Sequence, residues 1–240
     1  MIRRITFVVL ALGAFACTAR YVREVSLAPI EASAARIERG RYLVDHVAAC
    51  GACHTSRPEG DMLLPPRHDG YLAGGNWMQD GKLGVWMPNL TADVETGLGA
   101  WSDDEIVRAI RDGVGRDGSF LLPVMPWGSY RHLSDEDVRS IVAYLRTVPA
   151  AKPATPRREN DVPFMMNLAL SLGAGREDPV EKVPEPDRAD PVAWGAYLAE
   201  VGGCNGCHAR GRMGVRDRDD EYLGGATAPA RLAGAFLRSR

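Results

Sequence analysis

The chain has 240 residues, with 29 Lys and Arg against 31 Asp and Glu, 45% hydrophobic residues and five cysteines. This length and near-neutral balance fit one or two globular domains, and give no electrostatic case for nucleic acid, a polybasic membrane face or a disordered chain. No apolar run approaches the roughly eighteen residues that a membrane-spanning helix needs.

At the N-terminus, Arg3 and Arg4 precede an apolar stretch from Ile5 to Ala16 that ends in Ala14-Phe15-Ala16. Residues 1–16 read as a secretory signal peptide, which implies export. Its removal takes away two Arg and leaves the mature chain slightly more acidic. Cys17 follows the expected cut, where bacterial lipoproteins are acylated. Phe15 is bulky where such signals favour a small residue, so membrane association through a lipidated Cys17 stands as the alternative.

The first helix is expected from about Ile37 to Ala49, with Ile37, Leu43, Val44 and Val47 apolar. Gly40 would let the last helix of the domain come close, with Tyr144 as packing partner. Cys50-Gly51-Ala52-Cys53-His54 follows, and the pattern recurs as Cys204-Asn205-Gly206-Cys207-His208. Two thiols separated by two residues on one helical turn can add to the two vinyl groups of a porphyrin, and the adjacent His then reaches the iron. A four-Cys zinc site would place its pairs about 15 to 20 residues apart and gives no reason for a His after each. A thioredoxin-like pair needs a βαβ context, which is not visible, and structural disulfides would not specify the His. The expectation is two covalent haem c groups, on Cys50 and Cys53 with His54, and on Cys204 and Cys207 with His208.

Two methionines compete as the second axial ligand of the first iron: Met87 in Trp86-Met87-Pro88, and Met125 in Leu122-Pro123-Val124-Met125-Pro126-Trp127. Pro126 biases Met125 towards an extended backbone, and His/Met ligation raises the potential of a c-type iron. His46, His68 and His132 read as surface or capping residues.

Ser102-Asp103-Asp104-Glu105 is a capping box, followed by Ile106, Val107, Ile110 and Val114 at helical spacing until Gly113 and Gly115. Ser134-Asp135-Glu136-Asp137 starts a further helix through Val138, Ile141, Val142 and Leu145, with Asp making a weaker box. No run of alternating strands is evident, so the expected fold is all-α, with a first haem domain over 36–149. Residues 150–191 read as a linker; the stretch 149–191 holds eight of the 16 prolines, which makes it stiff and extended. Its apolar island, Val162 to Gly173, is expected as a strap packed on the protein.

Residues 192–240 open as a second copy. Gly195-Ala196-Tyr197-Leu198 echoes Gly40-Arg41-Tyr42-Leu43, and Tyr222-Leu223-Gly224-Gly225 echoes Tyr71-Leu72-Ala73-Gly74-Gly75. Met125 lies 75 residues after Cys50, and the same register after Cys204 runs past Arg240. The second domain is therefore expected to be incomplete, apparently truncated, with its haem five-coordinate, solvent-exposed or completed by another chain.

The strings CGACH, PNLTADVETGLGAWSDDEIVRAIRDGV and LPVMPWGSYRHLSDEDVRSIVAYLRTVP resemble domains of the multihaem cytochrome c family, in particular the cytochrome c subunits of bacterial alcohol, aldehyde and gluconate dehydrogenases. The resemblance covers nearly all of residues 36–225. It implies an all-α fold, a periplasmic location and a carrier that is not itself an enzyme, relaying electrons from a periplasmic dehydrogenase to a quinone or a terminal oxidase. It favours Met125 over Met87, because domains of this kind carry the ligand just before their last helix. It assigns Cys50, Cys53, His54 and Met125 to the first haem and Cys204, Cys207 and His208 to the second. Asn89 and Trp101 fall in strings similar to ones that line the haem. Two other readings remain: a haem enzyme such as a peroxidase or thiosulfate-oxidising cytochrome, and a mono-haem carrier with a non-folding C-terminal fragment.

Overall fold

The computed structural model describes residues 23–57, 70–175, 177–204 and 208. The expected signal peptide, Cys17, His68, Cys207 and the segment 209–240 lie outside the described residues.

Helix α1, Ala34–Tyr42, starts where the Ser33 hydroxyl accepts from the Arg36 amide, three residues ahead of the expected start, and runs on as a π-helical turn, Leu43–Val47. Leu43 and Val44 are fully buried. As the sequence suggests, Gly40 is the contact point with α5, Asp135–Leu145. A Cβ added at Gly40 would stand 1.8 Å from the Ser140 carbonyl oxygen and 2.8 Å from the Tyr144 Cβ, so any side chain there would push the two helices apart.

The attachment helix α2, Cys50–His54, follows, and then a part of the chain that departs from the all-α expectation. Strands β1, Trp77–Asp80, and β2, Leu83–Trp86, form a two-stranded antiparallel hairpin with Trp77 opposite Trp86 and Asp80 opposite Leu83. The fold is mostly helical with this one small sheet among the described residues. The strands are too short to show alternation, and the two residues between them are Gly81-Lys82, with Gly81 at φ +57° as a tight hairpin turn needs at its first position.

Helix α3, Asp103–Arg111, has the capping box expected of it: the Glu105 amide donates to the Ser102 hydroxyl at 3.2 Å, and the Ser102 amide donates to Glu105 Oε2 at 2.7 Å. Short α4, Trp127–Tyr130, leads into α5, where the Ser134 hydroxyl accepts from the Asp137 amide. The Asp137 carboxylate is used elsewhere, taking two bonds from Arg39 at 2.8 and 2.7 Å. Ile106, Leu133, Ile141 and Val142 join Leu43 and Val44 in a core between α1, α3 and α5.

The segment expected as a stiff linker is extended, and it is tied to the domain along its length. Gly84 and Asp161 exchange backbone bonds of 2.8 Å, Trp86 donates to Asn160 Oδ1, Thr155 donates to the Gly75 carbonyl, and the Asp135 amide donates to the Val183 carbonyl. The apolar island behaves differently from the packed strap expected. It forms helix α6, Phe164–Ser171, with no buried residue, and Phe164 is 76% exposed. Phe164 and Leu168, four residues apart, share one face of the helix, and Met166 lies on another, so exposed apolar side chains occur on more than one side.

Helix α7, Pro191–Val201, is capped by Asp190, whose carboxylate accepts from the Val192 and Ala193 amides, with Pro191 at its first position. Its last residue, Val201, is fully buried in the core of the first domain. Among the described residues, no helix is long and apolar enough to cross a membrane.

Candidate functional site

The π-helical turn and α2 are joined through Ala49, a non-glycine residue held in the left-handed region at φ 49°, ψ 42°. That conformation costs an alanine about 1–2 kcal/mol and persists because its surroundings impose it. The Tyr130 hydroxyl donates to the Ala48 carbonyl at 2.7 Å on one side. On the other, the buried Asn76 side chain donates to the Cys53 and Thr55 carbonyls at 2.7 and 2.6 Å and accepts from the Arg57 amide. The Gly74 amide donates to the His54 carbonyl at 2.7 Å. Gly74 has φ +72°, and a Cβ there would lie 2.6 Å from the Pro88 carbonyl carbon, so glycine lets the Met87-Pro88-Asn89 segment reach His54.

His54 is 7% exposed, and its Nδ1 lies 2.8 Å from the Pro88 carbonyl oxygen. A carbonyl only accepts, so the proton sits on Nδ1 and Nε2 keeps its lone pair, the arrangement that a metal-ligating imidazole requires. Burial lowers the His54 pKa, and the Pro88 bond opposes this in part. Burial likewise pushes the Cys50 thiol up to about 12 and raises that of Cys53. Burial thus disfavours the thiolate form of both.

Cys50, Cys53, His54 and Met125 all line one cavity of about 1580 Å³, whose walls include the core residues Leu98, Ile106, Ile110 and Leu133. Protein interiors leave few voids larger than a water molecule, and drug-sized ligands occupy roughly 300–1,000 Å³, so this space is shaped for a larger apolar occupant. The donor set fits haem c: two thiols at i and i+3 on one helix, an imidazole with a free Nε2 next to them, apolar walls and a thioether at the cavity wall.

Met125 is partly buried and links two tight turns: its amide donates to the Leu122 carbonyl, and the Trp127 amide donates to the Met125 carbonyl. Met87 is buried and also lines the cavity. It directly precedes Pro88, whose carbonyl holds His54. Asn89 lines the cavity as a turn residue, donating to Thr96 Oγ1 and the Ala151 carbonyl and accepting from the Thr91 amide; Trp101 is a partly buried wall. His46 is exposed and stacks near Tyr42, and His132 Nε2 lies 3.7 Å from Glu200.

The second motif sits differently. Cys204 and His208 are exposed, and the His208 amide donates to the Cys204 carbonyl at 2.9 Å, one helical turn. Cys207 lies outside the described residues, so the second set is only partly placed. The preceding Gly202 and Gly203 line the first cavity. Three contributors to the first site escaped the sequence reading: the Pro88 carbonyl, Asn76 and Tyr130. The Met-Pro string drew notice for its sulfur, not its backbone, and neither Asn76 nor Tyr130 falls in a motif.

The family model for cytochrome c oxidase, cbb3-type, subunit III matches residues 35–145. A nicotinate dehydrogenase subunit of Pseudomonas putida is 33% identical over 80% of this chain and 16% of its own length. The fructose dehydrogenase cytochrome subunit of Gluconobacter japonicus is 32% identical over 85% of this chain and 41% of its own. The gluconate 2-dehydrogenase cytochrome c subunit of Pantoea cypripedii is 32% identical over 85% and 46%. The chain thus spans less than half the length of these relatives. With the paired thiols, the oriented imidazole and the cavity beside them, these matches show a cytochrome c-type domain over residues 35–145, in a chain similar to the cytochrome c subunits of bacterial dehydrogenases.

Proposed function

We propose that the chain is an exported electron carrier holding two haem c groups, which takes electrons from a dehydrogenase and passes them to a quinone or a terminal oxidase. The observation that carries this reading is the buried His54, fixed through Nδ1 by the Pro88 carbonyl in a large apolar cavity that it shares with Cys50, Cys53 and Met125. Bound there, haem c supplies a one-electron iron couple, so no substrate bond need break. Cys50 and Cys53 would tether it, His54 Nε2 would ligate its iron, and Met125 would supply a thioether that raises the potential. The apolar walls exclude water, which limits solvent rearrangement when the charge on the iron changes.

Cys204, Cys207 and His208 hold the second haem in the same chemical pattern. Residues 1–16, read as a signal peptide, support a periplasmic location, and the names of the relatives support a dehydrogenase donor. Expression with c-type haem maturation tests the reading. Two haems per chain by pyridine haemochrome, reducible by a sugar-acid, sugar or alcohol dehydrogenase, are expected. A chain that matures without covalent haem, or whose haem no such dehydrogenase reduces, overturns it.

A further inference from the structure

The repeat in the sequence suggests two haem domains joined by a spacer, but the segment leading into the second attachment site is built into the first domain. Val201, at the end of α7, is fully buried among first-domain core residues. Four residues earlier, the Tyr197 hydroxyl donates to Asp137 Oδ2 at 2.6 Å and accepts from the Ser134 amide at 3.1 Å. Asp137 is completely buried on α5, and Arg39 of α1 grips the same carboxylate with two bonds. The Arg39 guanidinium also lies 5.2 Å from the ring centroid of Trp194 on α7. A buried carboxylate demands partners for its oxygens, and here one partner comes from each neighbouring helix.

The consequence falls on the two glycines that follow. Gly202 and Gly203 form part of the wall of the first cavity, and the position a Gly202 Cβ would take is 3.7 Å from the Val47 carbonyl oxygen and 3.9 Å from Cys204 Sγ. Val47 ends the π-helical turn just before Cys50. The approaches to the two attachment motifs therefore meet, with only small residues between the first cavity and the start of the second motif.

We propose that Arg39, Asp137 and Tyr197 form a latch that seats the second attachment segment on the wall of the first haem cavity, so that the two haems form a fixed, closely spaced pair. These are positioning residues: none of them lines the first cavity, and they would set the separation across which one electron leaves one iron and arrives at the other. Tunnelling falls steeply with distance, so a fixed short separation makes the pair a single relay. The proposal rests on the two-haem reading above, and the test separates the two.

In the full, matured chain, Tyr197→Phe removes the hydroxyl that serves Asp137 and Ser134. Hydrogen exchange of the α7 amides is expected to accelerate on the order of tenfold or more, with the haem count and first-haem spectrum unchanged. Val201→Asp places a charge in the core and is expected to eject α7. The narrow iron–iron separation seen by pulsed EPR in the parent should broaden, and electron exchange between the haems should be lost. Unchanged α7 protection in Tyr197→Phe overturns the latch, and a broad iron–iron distribution in the parent overturns the fixed pair. If Val201→Asp does not fold, Tyr197→Phe still decides. A parent with one haem per chain refutes the two-haem reading and with it the pair, whereas the exchange result still decides whether the latch holds α7.

Discussion

His54 and His208 each follow a CxxC pair, yet the first is buried at 7% exposure with its Nδ1 bonded to a carbonyl, and the second is exposed. The same five-residue pattern therefore specifies attachment chemistry and nothing about the environment. At the first site, Asn76, Gly74, Pro88 and Tyr130, drawn from three separate stretches of chain, fix the helix and orient the imidazole. At the second, the described residues show a seat against the first domain through Val201 and Tyr197. Oriented imidazole, apolar walls and a nearby thioether belong to the surrounding fold, and those are what tune an iron.

The largest difference should come from removing each histidine in turn. His54→Ala should take the pyridine haemochrome from two haems to one and lower the helical circular dichroism, because the core residues around the cavity lose the occupant they pack against. His208→Ala should also remove a haem, yet leave the first-haem spectrum and the helical signal in place. Equal structural loss in both would erase the contrast between the sites.

Next in size is the choice of methionine. Met125→Ala should lower the potential of the first haem by a substantial fraction of the roughly 0.8 V that axial ligands command, with little change in the folded helices. Met87→Ala should do the reverse, costing about 2–5 kcal/mol of stability as a buried truncation and leaving the methionine-ligated spectrum intact. Redox titration and thermal melts of the pair read both.

Smaller again is the helix crossing that supports the first site. Gly40→Ala puts a Cβ into the Ser140 backbone, and the strain should cost about 1–3 kcal/mol in chemical denaturation. Asn76→Ala leaves the buried Thr55 carbonyl and the Cys53 carbonyl without their side-chain donor, for about 1–3 kcal/mol. The smallest effect belongs to Ser102→Ala, which removes half of a capping box and should cost about 1 kcal/mol.

Much of this arrangement was legible in the chain. The capping box at Ser102, the start at Ser134 and the close contact at Gly40 were readable because caps and glycine contacts are local signals. The two CxxCH strings were readable because the same residue types recur at the same spacing. The hairpin was missed because four-residue strands carry no usable period, although Gly81 stands at its turn. The use of Asp137 by Arg39 and Tyr197 was not readable, since its partners lie 98 and 60 residues away. The Pro88 carbonyl was invisible for a different reason: every residue has one, and only the fold decides which of them faces a histidine.

The most direct test is the spectrum of a chain reduced to its first site by Cys204→Ala, Cys207→Ala and His208→Ala. Optical and EPR spectra should show one low-spin, six-coordinate haem whose methionine signature disappears when Met125 is also changed to Ala and survives when Met87 is. A five-coordinate or high-spin iron at that site, or a methionine signature indifferent to Met125, would contradict the account.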